Sequence, residues 1–302
     1  MKVGVNGAVR DISDLKVGVS GAVHAASELW VGLNGATKKV WPTYSSVLDE
    51  NTWEQISEAS SSGVAENMWE VGDRKQVTLN GTVGSLSLSN FSTYAFIIGF
   101  NHNSGREGSG RIHFQLAKTA LSGGTDICFT DGQYLNTGSS AAFRMNTSDT
   151  NSGGWEDSYM RNNICGTSKS TTSGRIMGAI PAELRNALKS VTKYTNNNGR
   201  SSASSAVTAT TDYFLLLSEY EVFGNITYSN SYEANYQQQY AYYSAGNSKV
   251  KYRHNSTGSA AYWWLRSPRA GYPYFFVYVS SDSTVFYHYA YFSLGFAPGF
   301  CV

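Results

Sequence analysis

Cysteine is scarce in this chain, and the three present, Cys128, Cys165 and Cys301, stand far apart with no Cys-x-x-Cys among them. That spacing excludes a disulfide framework and a zinc site and leaves three small buried hydrophobes. An excess of one charge is missing too. The net charge is +1 and no basic stripe exists, so a nucleic-acid partner has no electrostatic support. Lys249, Lys251, Arg253 and His254 come nearest to a basic patch, and they read as a solvated strand face. No apolar run approaches the roughly 18 residues that cross a bilayer, so membrane insertion is not expected. The start, Met1-Lys2-Val3-Gly4, has no apolar signal core, which points to a protein made in the cytoplasm that stays inside the cell until lysis or leaves as part of a particle.

Catalytic motifs are also lacking. There is no Gly-x-Ser-x-Gly, His-Glu-x-x-His, phosphate-binding loop or dinucleotide fingerprint. Asn101-His-Asn103 with Arg111-x-His113 comes nearest to a metal or acid–base cluster, but no histidine pairs with an acidic residue at ligand spacing. Glu219 and Glu221 flank Tyr220 on an expected strand, and salt bridging or loop anchoring suits them better than general-acid work, which needs a partner group. The expectation is a protein that is not an enzyme, with no cofactor and no metal.

A third shortage is local. From Ala270 to Val302 there is no Lys, Glu, Gln, Trp, Met or Asn. A codon with two randomised bases before a fixed third-position C cannot encode the first five of these. It readily gives Tyr, Phe, Ser, His, Asp, Val and Ala, as when the adenines of Asn codons are mutagenised. A hydrophobic strand pair would exclude Lys, Glu and Gln as well, so the shortage alone leaves both origins open.

What the segment does hold is aromatic. Twelve Tyr and Phe lie in the 31 residues from Tyr272 to Val302, against 14% Phe, Trp and Tyr for the chain. Adjacent pairs such as Phe275-Phe276, Phe286-Tyr287 and Tyr291-Phe292 put rings on both faces of a strand. One face is core, and the other meets solvent, a neighbouring subunit or a ligand. Before this segment, Trp263-Trp264-Leu265-Arg266-Ser267-Pro268 reads as a buried strand ended by proline.

At the other end the sequence repeats. Lys2-Val-Gly-Val-Asn-Gly-Ala-Val9 recurs as Lys16-Val-Gly-Val-Ser-Gly-Ala-Val23 and as Trp30-Val-Gly-Leu-Asn-Gly-Ala-Thr37, a period of 14 residues. Asn-Gly between β-formers marks a hairpin, and such units must stack to bury a face. Residues 1–42 are therefore expected to be three β-hairpin repeats for attachment or oligomerisation, and 43–302 one domain.

Within that domain the pattern predicts a helix from Thr52 to about Ser61, with a capping box between Thr52 and Gln55. Strands are expected at Gln76–Leu79, Tyr94–Phe100, Arg111–Leu116 (half-buried) and Tyr213–Leu217, with a hairpin turn at Asn80-Gly81. Further helices are expected from Pro181 to about Tyr194 and from Tyr232 to about Ala245. Thr195 to Ser205 reads as a polar surface loop. Scattered strands with few helices give an α+β domain.

Tyr262-Trp-Trp-Leu-Arg-Ser-Pro268, the aromatic stretch and the closing Gly295-Phe-Ala-Pro-Gly-Phe-Cys-Val302 resemble a domain family of gut Firmicutes and their phages. That family is similar to the C-type-lectin-fold variable proteins of diversity-generating retroelements. The likeness extends through Trp53-Glu-Gln-Ile-Ser57, Val71-Gly-Asp73, Phe96-Ile-Ile-Gly-Phe100, Asn151-Ser-Gly-Gly-Trp155 and Asp212-Tyr-Phe-Leu-Leu-Leu-Ser-Glu219, and so covers about residues 48–302. It implies a C-type-lectin-like domain of the formylglycine-generating-enzyme-like type, with a variable region at about 269–293. No competent thiol pair is visible, and the calcium strings Glu-Pro-Asn, Gln-Pro-Asp and Trp-Asn-Asp do not occur.

The implied function is receptor binding by a phage tail protein, located in the virion, whose aromatic face takes a bacterial surface protein or glycan. The repeats would join tail or baseplate proteins, with a homotrimer favoured. The alternative is a bacterial surface adhesin or decoration protein with a fixed aromatic assembly interface. The residues expected to face ligand or to be diversified are Tyr272, Tyr274, Phe275, Tyr278, Ser280, Phe286, Tyr287, His288, Tyr289, Tyr291 and Phe292. Val277, Val279 and Val285 fit a core-facing register, which sends Tyr278 and Ser280 outward. Ser281-Asp282-Ser283 reads as the turn, and Phe296 and Phe300 as core.

Overall fold

A computed structural model describes residues 44–302 throughout, and ahead of them Gly21 and the backbone of six strands. The strands form three antiparallel hairpins: β1 (Lys2–Val5) with β2 (Ala8–Asp11), β3 (Lys16–Val19) with β4 (Ala22–Ala25), and β5 (Leu29–Leu33) with β6 (Ala36–Trp41). Two residues separate the innermost pairs Val5↔Ala8, Val19↔Ala22 and Leu33↔Ala36. Gly21, with φ of +82°, has the positive value that such turns require. The turns expected at Asn6-Gly7 and Asn34-Gly35 lie outside the described residues. The chain divides into two compact units, Met1–Ser46 and Val47–Val302.

The second unit is a mixed α+β domain. It opens with α1 (Trp53–Ser61), where the Gln55 N–H donates to Thr52 Oγ1 and the Thr52 N–H to Gln55 Oε1, a reciprocal cap that sets the helix start. Trp53, Ile56 and Ala59 on its inner face are buried. That sheet is antiparallel, in the order β13-β19-β9-β8-β7, built from β7 (Arg74–Val83), β8 (Leu86–Phe100), β9 (Ile112–Lys118), β13 (Phe214–Leu215) and β19 (Gly299–Cys301). The last residues of the chain thus fill an interior strand. Phe300 stacks on Phe114 at 5.3 Å, and Trp53 meets both rings edge-on at 5.5 and 5.9 Å.

Smaller sheets surround this core. β10 (Ile127–Cys128), β14 (Lys251–Arg253) and β15 (Ser256–Ala261) form one, and β11 (Val191–Asn196) pairs with β12 (Val207–Asp212). β16 (Trp263–Pro268), β17 (Phe275–Val279) and β18 (Val285–Tyr289) form the third. Gly295 lets the closing segment lie against this last sheet. The Gly295 N–H donates to the Tyr262 carbonyl at 2.7 Å, and a Cβ there would come within 2.4 Å of Cys128 Sγ.

Several elements depart from the expectation. Asn80-Gly81 is no turn: β7 runs through it with a register shift, and the two-residue link is Gly84-Ser85 between Val83 and Leu86. The helix after Pro181 is only α4 (Ala182–Ala187), following α2 (Ser104–Glu107) and α3 (Ile176–Ala179). Beyond it Val191, Thr192, Tyr194 and Thr195 are β-formers, and their segment pairs with β12. Leu184, Leu188 and Val191 are all buried, but a helix and then a strand bring them inward. Glu219 and Glu221 lie on α5 (Glu219–Phe223), capped reciprocally by Ser218 and Glu221. The helix expected over 232–245 is a 3-10 turn, Ser231–Asn235, and then α6 (Ala241–Ser244).

β9, an inner strand of the sheet, is buried along its whole length and not on one face only. Thr195 and Asn196, expected on the surface, are buried as well. So is Lys251. Its Nζ lies 3.8 Å from an Asp126 oxygen and over the Trp263 ring at 5.1 Å, and burial pulls it down to about 8 against the pull of Asp126.

Candidate functional site

The aromatic segment is the outer part of the β16-β17-β18 sheet. β16 is wholly buried, with the indole N–H of Trp264 donating to the Phe143 carbonyl at 3.0 Å and that of Trp263 to the Lys249 carbonyl at 2.9 Å. β17 is the middle strand, pairing Trp264↔Tyr278 on one side and Tyr278↔Phe286 on the other. β18 is the edge strand, and every one of its residues is half-buried or exposed.

The expected site residues separate by this position. Tyr272, Tyr274, Phe286 and Tyr289 are 42–49% exposed. Phe275, Tyr287, His288, Tyr291 and Phe292 are half-buried. These nine share a web of ring contacts, among them Phe275–Tyr289 at 4.7 Å, Phe286–Tyr287 at 4.7 Å and His288–Phe292 at 4.3 Å.

Tyr278 and Ser280 do not join them, being 7% and 9% exposed. The expectation that both face outward is corrected. Alternation does send Val277 and Val279 to one face and Tyr278 to the other, but other side chains cover that second face here. The Tyr278 ring lies among Tyr262, Trp264, Phe286 and His288 at 5.1–6.3 Å, and burial pushes its phenol up to about 12. Ser280 anchors the turn instead: its hydroxyl contacts the Asp282 carboxylate and lies 2.9 Å from Thr284 Oγ1. These hydrogen bonds from Ser280 and Thr284 hold Asp282 down at about 2. Val285, expected to face the core, is only half-buried because it belongs to the edge strand.

Two residues outside the expected set complete the face. The Arg269 guanidinium carbon lies 3.7 Å from the Tyr272 ring centre and 3.6 Å from that of Tyr287. Tyr228 meets Tyr287 at 5.0 Å and Phe286 at 5.8 Å. Arg269 sits directly after the buried hexapeptide, a position that carried a signal. Tyr228 lies in a distant loop and carried none.

The scaffold grips this face through its backbone. The Asn151 side-chain amide donates to the carbonyls of Arg269, Tyr272 and Phe275 at 3.2, 2.8 and 3.0 Å, and its backbone N–H to Pro273 at 2.7 Å. The Glu219 carboxylate accepts the N–H groups of Thr227, Tyr228 and Ser229, which fixes Tyr228. Asp131 accepts the Ser293 hydroxyl at 2.8 Å and the Ala142 N–H at 2.6 Å, holding the far end of the segment. Rings that could move are thus mounted on backbone that is tied down.

A second polar constellation lies deep in the domain. Arg266 donates to both Glu221 oxygens at 2.5 and 3.0 Å, and Lys193 Nζ reaches Glu221 at 2.8 Å, Glu107 at 2.6 Å and the Tyr240 hydroxyl at 2.8 Å. Burial pushes the Glu221 carboxyl up, but Arg266 and Lys193 outweigh it and hold it well below the usual range. His102, Glu107 and His113 bring ligand-type atoms within 4.8 Å of one another. The Lys193 ammonium already faces that Glu107 carboxylate, so the positive charge is supplied by the chain. Burial, then Lys193, keeps His113 neutral. This arrangement is a buried ion network.

No curated protein and no solved structure matches the chain. A family model described as "Domain of unknown function (DUF6273)" matches residues 132–302, more than half of the chain and all of the aromatic face but nothing of the hairpin repeats, and the chain belongs to that family.

Proposed function

We propose that this is a phage tail receptor-binding protein with a C-type-lectin-like domain whose aromatic C-terminal face binds a molecule on a bacterial surface. One observation carries the reading: four large aromatic side chains, Tyr272, Tyr274, Phe286 and Tyr289, are left 42–49% exposed on backbone that buried residues hold in place. Leaving so much ring surface in water costs free energy, which a partner would recover. Tyr suits such a face because it offers large contact area for few torsions to freeze, with a hydroxyl for polar contacts. The resemblance to retroelement-diversified proteins supplies the rest: a segment at about 269–293 that varies while Asn151, Glu219 and Asp131 keep the frame. The hairpins of residues 1–42 would join the protein to the tail, as a trimer.

The test has two arms. Labelled protein is titrated onto bacterial cells, comparing the unaltered chain with a Tyr272→Ser, Tyr274→Ser, Tyr289→Ser triple variant. The DNA flanking the gene is sequenced for a reverse transcriptase and a near-copy of the segment's coding sequence. Saturable binding lost in the triple variant supports the reading. A face that instead mediates self-association, seen as a concentration-dependent oligomer that the triple variant dissolves, would favour an adhesin or decoration protein with a fixed assembly interface.

A further inference from the structure

We propose that Arg269 is the anion-recognition point of the aromatic face, and that the partner is a protein presenting an acidic side chain to it. The proposal rests on the ligand-face reading above and names the chemistry of the ligand.

Arg269 is held in an unusual way. Its guanidinium carbon is 3.7 Å from the Tyr272 ring centre and 3.6 Å from that of Tyr287, distances reached when a planar cation lies over the face of a ring. Tyr272 and Tyr287 make no ring contact with each other among the described residues, as follows if the guanidinium separates them. Both faces of the cation are therefore covered, and its in-plane N–H donors remain. No acceptor among the described residues takes them up.

The backbone fixes the side chain's root, since the Arg269 N–H donates to Phe275 at 2.9 Å and its carbonyl accepts from Asn151 at 3.2 Å. A fork of donors held flat between two rings suits one carboxylate, which it binds with both arms at little cost in ordering.

The rest of the face narrows the ligand class. A polyanion calls for many cations, and the net charge here is only +1. A hydroxyl-rich sugar calls for planar polar side chains, and residues 270–302 contain no Asn, Gln or Glu. The nearby polar groups are already committed: Asn151 to three carbonyls, Ser280 and Asp282 to the turn. What remains, Tyr, Phe, His288 and one Arg, is close to the composition of protein-interface hot spots, in which Tyr and Arg are enriched. The fit is an Asp or Glu flanked by apolar side chains that lie against Tyr274, Phe275 and Tyr289.

The test uses the full chain and a displayed random-peptide library. Enriched peptides are resynthesised with each Asp or Glu replaced by Asn or Gln and titrated against the unaltered protein, Arg269→Lys, Arg269→Gln and Tyr289→Ser, all first checked by thermal melting. The expected result is an acidic residue in the binders whose amide replacement weakens binding to the unaltered protein about tenfold. The same replacement should make little difference against Arg269→Gln and an intermediate one against Arg269→Lys, which keeps the charge and loses the fork.

Peptides lost in Tyr289→Ser but indifferent to the acid-to-amide change would overturn the role of Arg269 and leave the ligand face standing. Failure to enrich any peptide, or enrichment only of peptides indifferent to Tyr289→Ser, would overturn the proposal outright, with cell binding judging the ligand face separately. Binding of oligogalacturonates in place of peptides, lost in Tyr289→Ser, would overturn the assignment to a protein.

Discussion

Arg266 and Arg269 stand three positions apart in one stretch and do opposite things. Arg266 is wholly buried, and its guanidinium is spent on Glu221, on the Thr195 hydroxyl at 2.7 Å and on the Leu216 carbonyl at 2.9 Å. Arg269 is half-buried between two tyrosine rings, with its donors meeting no acceptor among the described residues. Between them Pro268 ends β16. The same residue type thus closes the core on one side of that proline and presents a surface on the other. The buried strand before the proline locks the frame, and the exposed and half-buried rings from Tyr272 to Phe292 are what the frame displays.

The sharpest way to break this comparison is to remove Arg266. Arg266→Met leaves the buried Glu221 carboxylate with Lys193 and the Ser218 N–H but without its two-armed cation, and should cost about 3–5 kcal/mol. Urea denaturation measures this, and a loss below about 1 kcal/mol would mean that the network does not hold the frame.

Next comes Tyr278, the aromatic that belongs to the frame. Tyr278→Ser opens a cavity beside Trp264 and should cost roughly 3 kcal/mol.

A third prediction concerns pH. Burial pushes Glu233 up from 4.5 to about 7, although the Asn196 N–H and Ser267 hydroxyl bond to its carboxylate. A carboxyl with a raised folded value binds its proton more tightly in the native state. Its contribution is therefore complete below the unfolded value and is lost as pH rises towards 7. The loss should be at most about 3 kcal/mol, and Glu233→Gln should flatten this part of the stability–pH curve. Glu221 acts in the opposite sense: its contribution is present above the unfolded carboxyl range and disappears as pH falls. An unchanged slope in Glu233→Gln would show that Glu233 is not the titrating group.

The smallest effect is the most informative. Tyr289→Ser and Tyr274→Ser, taken singly, should change stability by no more than about 0.5 kcal/mol. A large destabilisation in either would make those rings part of the core and remove the display surface.

Features set by neighbours in the chain were legible before the fold was known. The Thr52/Gln55 capping box needs only residues three apart, and it formed as read. The Trp263-Trp264 pair and the closing Phe296 and Phe300 are buried because such ring surface has nowhere better to go. The turn at Ser281-Asp282-Ser283 rested on local chemistry alone. Errors appeared wherever a distant strand decided. Val191 to Thr195 left the helical pattern because β12 was there to pair with, and Lys251 is inside because β14 runs between two other strands.

For the candidate site the division is the same. Composition and alternation along the chain determined that residues 272–292 carry more rings than one core face can use. Which rings reach solvent depends on position across the sheet: β17 is covered from both faces, which buries Tyr278, while β18 has a free edge, which leaves Phe286 and Tyr289 exposed. Tyr228 and Asn151 entered the site only through folding, since each lies at least 40 residues from the segment it supports. Period-two patterning fixes which face a side chain points to, but the packing of other strands and loops decides whether that face is wet.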